Sequence, residues 1–246
     1  MLRKIIIVVV AFSVLGVLFY LSAERNNEDV VKKDAATVNG QPVISWRKTT
    51  IAIEEATEKI SIRINAPKII ISGNYELSNK INKAITELLE SFKDDFISGV
   101  STAAYKNGET NTLNIDTEVL LLTPRLISLA FTATERLAGV RNNDSERMFF
   151  VFDLVNNRLI VEGNELFRDD LAWSEAVKAM KASLLTDYQG DPNCDLFFAP
   201  RHNGFAASCI GVDWSRRGEH LSITGDISMS MIQEFLAPSV LSDIIQ

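Results

Sequence analysis

The sequence is poor in the residues that carry metal and proton chemistry, with two histidines and two cysteines among 246 residues. His202 and His220 stand far apart, one in a turn pattern and one entering a strand pattern. Zinc ligands come closer together than that, so both read as exposed polar side chains and no metal site is expected. Gly-x-Ser-x-Gly is absent, and the only Ser-x-x-Lys, Ser45-Trp46-Arg47-Lys48, has neither the Lys-Thr-Gly nor the Ser-Asp-Asn element that a penicillin-binding enzyme needs. No glycine-rich run can cradle a phosphate, and no cofactor is expected. Basic charge is also scarce: 25 Lys+Arg face 32 Asp+Glu, and no cluster of them could follow a nucleic-acid backbone. At 46% hydrophobic residues the chain is too apolar for disorder and long enough to bury a sizeable core.

One part of the sequence has no charge at all. Residues 5–21 read IIIVVVAFSVLGVLFYL, and Ser22 and Ala23 extend the run. At about 1.5 Å per helical residue this nearly spans a hydrocarbon core of about 30 Å. Residues 1–23 are therefore expected to form one transmembrane helix, with Arg3 and Lys4 as a short inner head. The competing reading is a cleaved secretory signal, whose apolar region is shorter, about 7 to 15 residues. A cut after Ala23 would place Leu21 where a small residue is wanted, so the anchor is favoured. Either way the remainder lies outside the cytoplasm, secreted if the leader is cut. Removing Arg3 and Lys4 leaves 23 basic against 32 acidic residues there, a balance of −9.

Residues 24–44 are polar and of mixed charge, and read as a stalk. From residue 58 the sequence alternates Ile60, Ile62 and Ile64 with polar partners, a half-buried strand that Pro67 should interrupt. A helix is predicted from Asn79 to about Ile97, with Ser78 as cap and Gly99 as stop. Strand patterns follow at 112–122, 126–134 and 148–155. A second amphipathic helix covers 171–185. Residues 195–200 and 205–214 form a hairpin about His202-Asn203-Gly204, 220–225 supply one more strand, and a last helix, 228–236, ends before Pro238. The expected fold is α+β: antiparallel sheets packed with two amphipathic helices, without parallel βαβ alternation. Its outer part divides into lobes at 45–165 and 166–246.

Ile81-Asn82-Lys83-Ala84-Ile85 in the first helix, and Phe152-Asp153-Leu154 leading to Glu165-Leu166-Phe167, carry a resemblance. With the order of elements around them they resemble the PdaC/RsiV-like extracytoplasmic domain, over roughly residues 46–246. That family includes an accessory domain of peptidoglycan deacetylases and the outer half of a lysozyme-sensing anti-sigma factor. Where the family carries Gly-Gly-Ala-His, this sequence has Ala138-Gly139-Val140-Arg141, without the histidine. The resemblance implies a sensor or binding module at the cell envelope and does not imply an enzyme.

Among single residues, Asp153 is expected to cap its turn, with ligand binding as a second role. Trp214, Arg216 and Arg217 can bind an anionic group or stack a sugar, or form an exposed turn. The carboxylate pairs Glu54-Glu55, Asp94-Asp95, Asp169-Asp170 and Asp116 with Glu118 read as solvated surface. Cys194 and Cys209 lie where oxidation is possible and fall nearly opposite each other across the hairpin. A disulfide and two buried thiols both fit, since one residue of register decides between them. The expected function is a membrane-anchored module that recognises a cell-wall glycan or a cationic protein such as lysozyme. The alternative is a cell-wall hydrolase or deacetylase.

Overall fold

The computed structural model describes residues 43–55, 59–102, 110–138, 144–189, 192–213 and 219–245. The leader at 1–23, the stalk short of residue 43, and Trp214, Arg216 and Arg217 lie outside the described residues. No helix among the described residues is long and apolar enough to cross a membrane.

Among the described residues nine strands form two sheets. In the first, strands β1 (Ile44–Glu55), β2 (Ile60–Ile71), β3 (Asn111–Leu122), β4 (Leu126–Arg136), β5 (Asp144–Asp153) and β6 (Arg158–Leu159) lie side by side in sequence order. The second holds β7 (Pro192–Arg201), β8 (Gly204–Asp213) and β9 (Glu219–Ser228), all antiparallel. The helices are α1 (Tyr75–Thr102), α2 (Asp170–Leu184), α3 (Met229–Ile232) and α4 (Pro238–Ile244). The mixed α+β class and both amphipathic helices agree with the sequence.

The purely antiparallel expectation is corrected. β2 and β3 pair in parallel from Ile60↔Asn111 to Ile64↔Ile115, joined through α1 as a crossover. Past Ile64 the place of β3 beside β2 is taken by α1. The Asn82 side chain accepts from the Ile69 N–H and donates to the Ile69 carbonyl, both at 2.8 Å. Ser78 Oγ accepts from the Ile71 N–H at 2.9 Å. The odd-numbered residues here thus turn their main chain away from β1, which is why Pro67 does not break the ladder as expected. Its missing N–H falls on the side where β3 has already ended.

Three further boundaries differ. β1 was not anticipated, because its apolar residues Trp46, Ile51 and Ile53 are all partly exposed and its pattern has no clean period. α1 starts at Tyr75 with Asn74 accepting from the Leu77 N–H at 3.0 Å, and runs through Gly99 to Thr102. The final predicted helix is only Met229–Ile232. Pro238 opens a new helix, a position where its fixed φ fits and no N–H is needed.

The first sheet is covered on both faces. On β4, Ile127, Leu129 and Phe131 pack with Ile81, Ile85, Leu89 and Phe96 of α1. The alternate residues Leu126 and Ala130 pack with Phe205, Ala206 and Ala207 of β8 and with α2. This second core joins residues from both sheets.

Candidate functional site

A cleft of about 240 Å³ opens where β7 passes β5. Phe149 and Val151 of β5 form its floor, and Ile160, Val161, Gly163 and Leu166 one wall. Trp173 of α2 and Leu196, Phe197 and Phe198 of β7 close the other side. Local structure fixes each part. The Ile160 N–H bonds the Val151 carbonyl at 2.8 Å, which holds the wall against the floor. Asp169 caps α2 by accepting from the Ala172 N–H at 2.8 Å, and so sets the start of the helix that carries Trp173. A Cβ on Gly163 would sit 2.5 Å from the Phe198 ring, so only glycine lets that ring approach.

Behind the cleft the rings of Phe167, Trp173, Phe198 and Phe205 form a connected cluster, with Trp173 to Phe198 at 5.4 Å and Phe198 to Phe205 at 5.6 Å. Such contacts add rigidity as well as burial. The mouth is different: Val161 is 80% exposed and Phe197 45%. Every lining side chain is apolar apart from the indole N–H of Trp173, so hydrogen bonds offered to a ligand come almost entirely from main chain. Of the neighbouring charges, Arg147 is paired with Glu118 at 2.6 Å and lies over Phe149, and Arg158 is paired with Glu165. Glu162 and Asp195, each next in sequence to lining residues, have no cationic partner among the described residues.

A larger groove, about 550 Å³, runs along β2 and the start of α1 past Val43, Ile70 and Tyr75. Of its three side-chain amides, Asn74, Asn79 and Asn82, the first is committed to the Leu77 N–H and the last to the backbone of β2.

The residues singled out by sequence scatter. Asp153 ends β5 and accepts from the Val155 and Asn156 N–H groups at 2.9 and 3.0 Å and from the Asn156 amide at 2.7 Å, so it caps its turn. Burial opposes its charge, but the Asn156 and Val155 hydrogen bonds and nearby Arg125 outweigh this and hold its carboxyl below the usual range. Asp243 of α4, buried and 3.7 Å from Arg125, goes the other way: burial, helped by the Asp153 charge, raises it against the pull of Arg125. Cys194 and Cys209 are joined as a disulfide, with Cα atoms 5.4 Å apart. They occupy one face with a two-residue offset, since Cys194 is opposite Gly211 and Leu196 opposite Cys209. A Cβ on Gly211 would meet the Asn193 carbonyl at 2.1 Å, so a bare backbone is needed beside the bridge.

Asp116 is bonded by Asn65 at 2.6 Å, Asp94 lies 3.6 Å from Lys93, and no two of the sequence-predicted pairs come together in the cleft. Among the described residues no group of three His, Cys, Asp or Glu is placed to hold a metal. The cleft itself escaped the sequence reading. Its signals were the adjacent Phe197-Phe198, apolar on both faces of one strand, and two prolines in that same strand.

No protein-family model matches the chain, and no curated protein matches it by sequence. The crystal structures that the chain is similar to include two DUF3298 family proteins. A member of the DUF3298 family from Bacteroides fragilis is 15% identical, with a TM-score of 0.46, over 82% of this chain and 97% of that one. A DUF3298 family protein from Pseudomonas aeruginosa is 13% identical, with a TM-score of 0.45, over 81% of this chain and 96% of that one. Likenesses this distant carry nothing about function.

Proposed function

We propose that this protein is a membrane-anchored, extracytoplasmic binding or sensor module of the bacterial cell envelope, and that it recognises a cationic protein such as lysozyme. The observation that carries the choice of partner is the charge balance of −9 beyond the leader, 23 basic against 32 acidic residues. Complementary charge of that size speeds association with a basic partner and weakens as salt is added. The uncharged run at 5–23 supports the anchor, and the resemblance carried by Ile81–Ile85 and Phe152–Phe167 supports the envelope setting.

A cell-wall glycan is the second reading, favoured by the exposed ring of Phe197 at the mouth of the cleft. It is weaker because sugar recognition needs side-chain amides or carboxylates around the ring, and the lining has none. The enzymatic alternative is weaker still: a glycosidase-type hydrolase needs two carboxyls facing each other across a cleft and a deacetylase needs clustered metal ligands, and the lining of this cleft holds no carboxyl, histidine or cysteine. Capture of lysozyme by the full chain in detergent, lost at high salt, is the expected result. Salt-insensitive capture, or release of products from purified peptidoglycan, would count against it.

A further inference from the structure

Among the described residues β7 is an end strand of its sheet, so half of its main-chain groups face no neighbouring strand there. The hairpin decides which half. Arg201 and Gly204 close a two-residue turn, His202-Asn203, and the closing pair of such a turn is hydrogen-bonded. Counting back by twos, the odd residues of β7 bond β8 and the even ones face outward. Two observations agree. Pro192 and Pro200, which have no N–H to give β8, are both even, and the outward carbonyl of Cys194 receives Lys181 Nζ at 2.5 Å. The open stretch of edge is therefore Leu196 and Phe198, which both line the cleft, with a proline beyond each end. Prolines so placed keep an edge from unlimited pairing and leave a short window.

We infer that this window binds an extended segment of a partner protein by strand addition, with an apolar side chain in the cleft and lysine or arginine beside it. The two residues offer two N–H groups and two carbonyls, the pattern an extended backbone complements. The apolar lining suits alternate side chains, and the unpaired carboxylates Glu162 and Asp195 suit the basic ones between them. The inference deepens the proposed function and rests on it for the charge of the partner.

The test uses the full chain in detergent and a synthetic peptide alternating lysine and valine. Two isomers of it carry N-methyl groups, one on every valine and the other on every lysine. Strand addition uses the main chain of alternate residues only. One isomer should thus bind like the parent and the other about tenfold or more weaker, the loss of two hydrogen bonds. The parent peptide should slow hydrogen exchange at the Leu196 and Phe198 amides. Val161→Lys, at an exposed position where folding is not at stake, should weaken binding about tenfold. Isomers that bind alike, or Leu196 and Phe198 amides that stay unprotected, overturn the inference. So does protection of those amides without peptide that grows with protein concentration, because a second copy would then fill the edge. If lysozyme is captured but the isomers do not differ, the edge falls and the module stands. If the isomers differ and lysozyme is not captured, the edge stands and lysozyme falls as the partner.

Discussion

Asp153 and Asp243 feel the same guanidinium, that of Arg125, yet their carboxyls shift in opposite directions. Three donors surround the first, and burial dominates the second. Asp153 is lowered, so its contribution is complete above the unfolded value of about 3.9 and disappears as the pH falls through the lower folded value. Asp153→Ala should cost about 2 kcal/mol at pH 7, and the gap to the native chain should close in acid. Asp243 is raised, so its charge weakens the fold above its folded value and the penalty disappears below about 3.9. Asp243→Asn should therefore melt at or above the native temperature at pH 7 and match it near pH 4, in thermal unfolding followed by circular dichroism. A variant that melts lower at pH 7 would show that the ion pair with Arg125 outweighs burial. The turn role of Asp153 was legible, because Asp followed by Asn-Asn is local chemistry. The pairing of Asp243 with Arg125 spans more than a hundred residues, and no spacing announces it.

At the scale of elements, two devices hold strands in place where ordinary pairing stops. Asn82 supplies both a donor and an acceptor to Ile69 and acts as a one-residue substitute for the missing strand. Asn82→Leu should cost about 2 kcal/mol in urea unfolding with an unchanged slope, since both main-chain groups of a part-buried strand lose their partner. A cost within error would mean water replaces the amide freely. The disulfide Cys194–Cys209 closes a separation of 15 residues and is buried beneath Leu184, Leu185 and Tyr188. Its reduction should cost about 3 kcal/mol, read as a lower melting temperature in reductant, with a mobility shift between reducing and non-reducing gels. Two thiols titratable without reductant would discard the bridge. The hairpin and both long helices were legible because their patterns are local. The parallel pairing was not: strand, helix, strand is the same in sequence whether β3 returns beside β2 in parallel or pairs with β4 alone. The deciding contact is five residues of β2 against β3, continued by a side-chain amide.

For the whole molecule, the decisive feature is that one core is built from two sheets. β4 reads LISLAFTATER, buried on both faces for its first six residues, all of them apolar but Ser128. That run announces burial on two sides, but the element covering the second side is β8, some eighty residues later, and it could not be read from β4. The cleft has the same origin. Its lining comes from 149–151, 160–166, 173 and 196–198, segments that meet only because β7 crosses the first sheet. If this shared core couples the sheets, the amides of Leu129 in β4 and Ala207 in β8 open together, with one free energy in native-state hydrogen exchange. Phe205→Ala removes a fully buried ring that touches both the aromatic cluster and the shared core, and should cost about 3 to 5 kcal/mol. The loss should appear equally at Leu129 and Ala207. A loss confined to Ala207 would mean that residues 45–165 and 166–246 unfold as separate lobes. The cleft would then lie across a mobile boundary, and the edge of β7 would no longer be held in register with the wall at Ile160 and Val161.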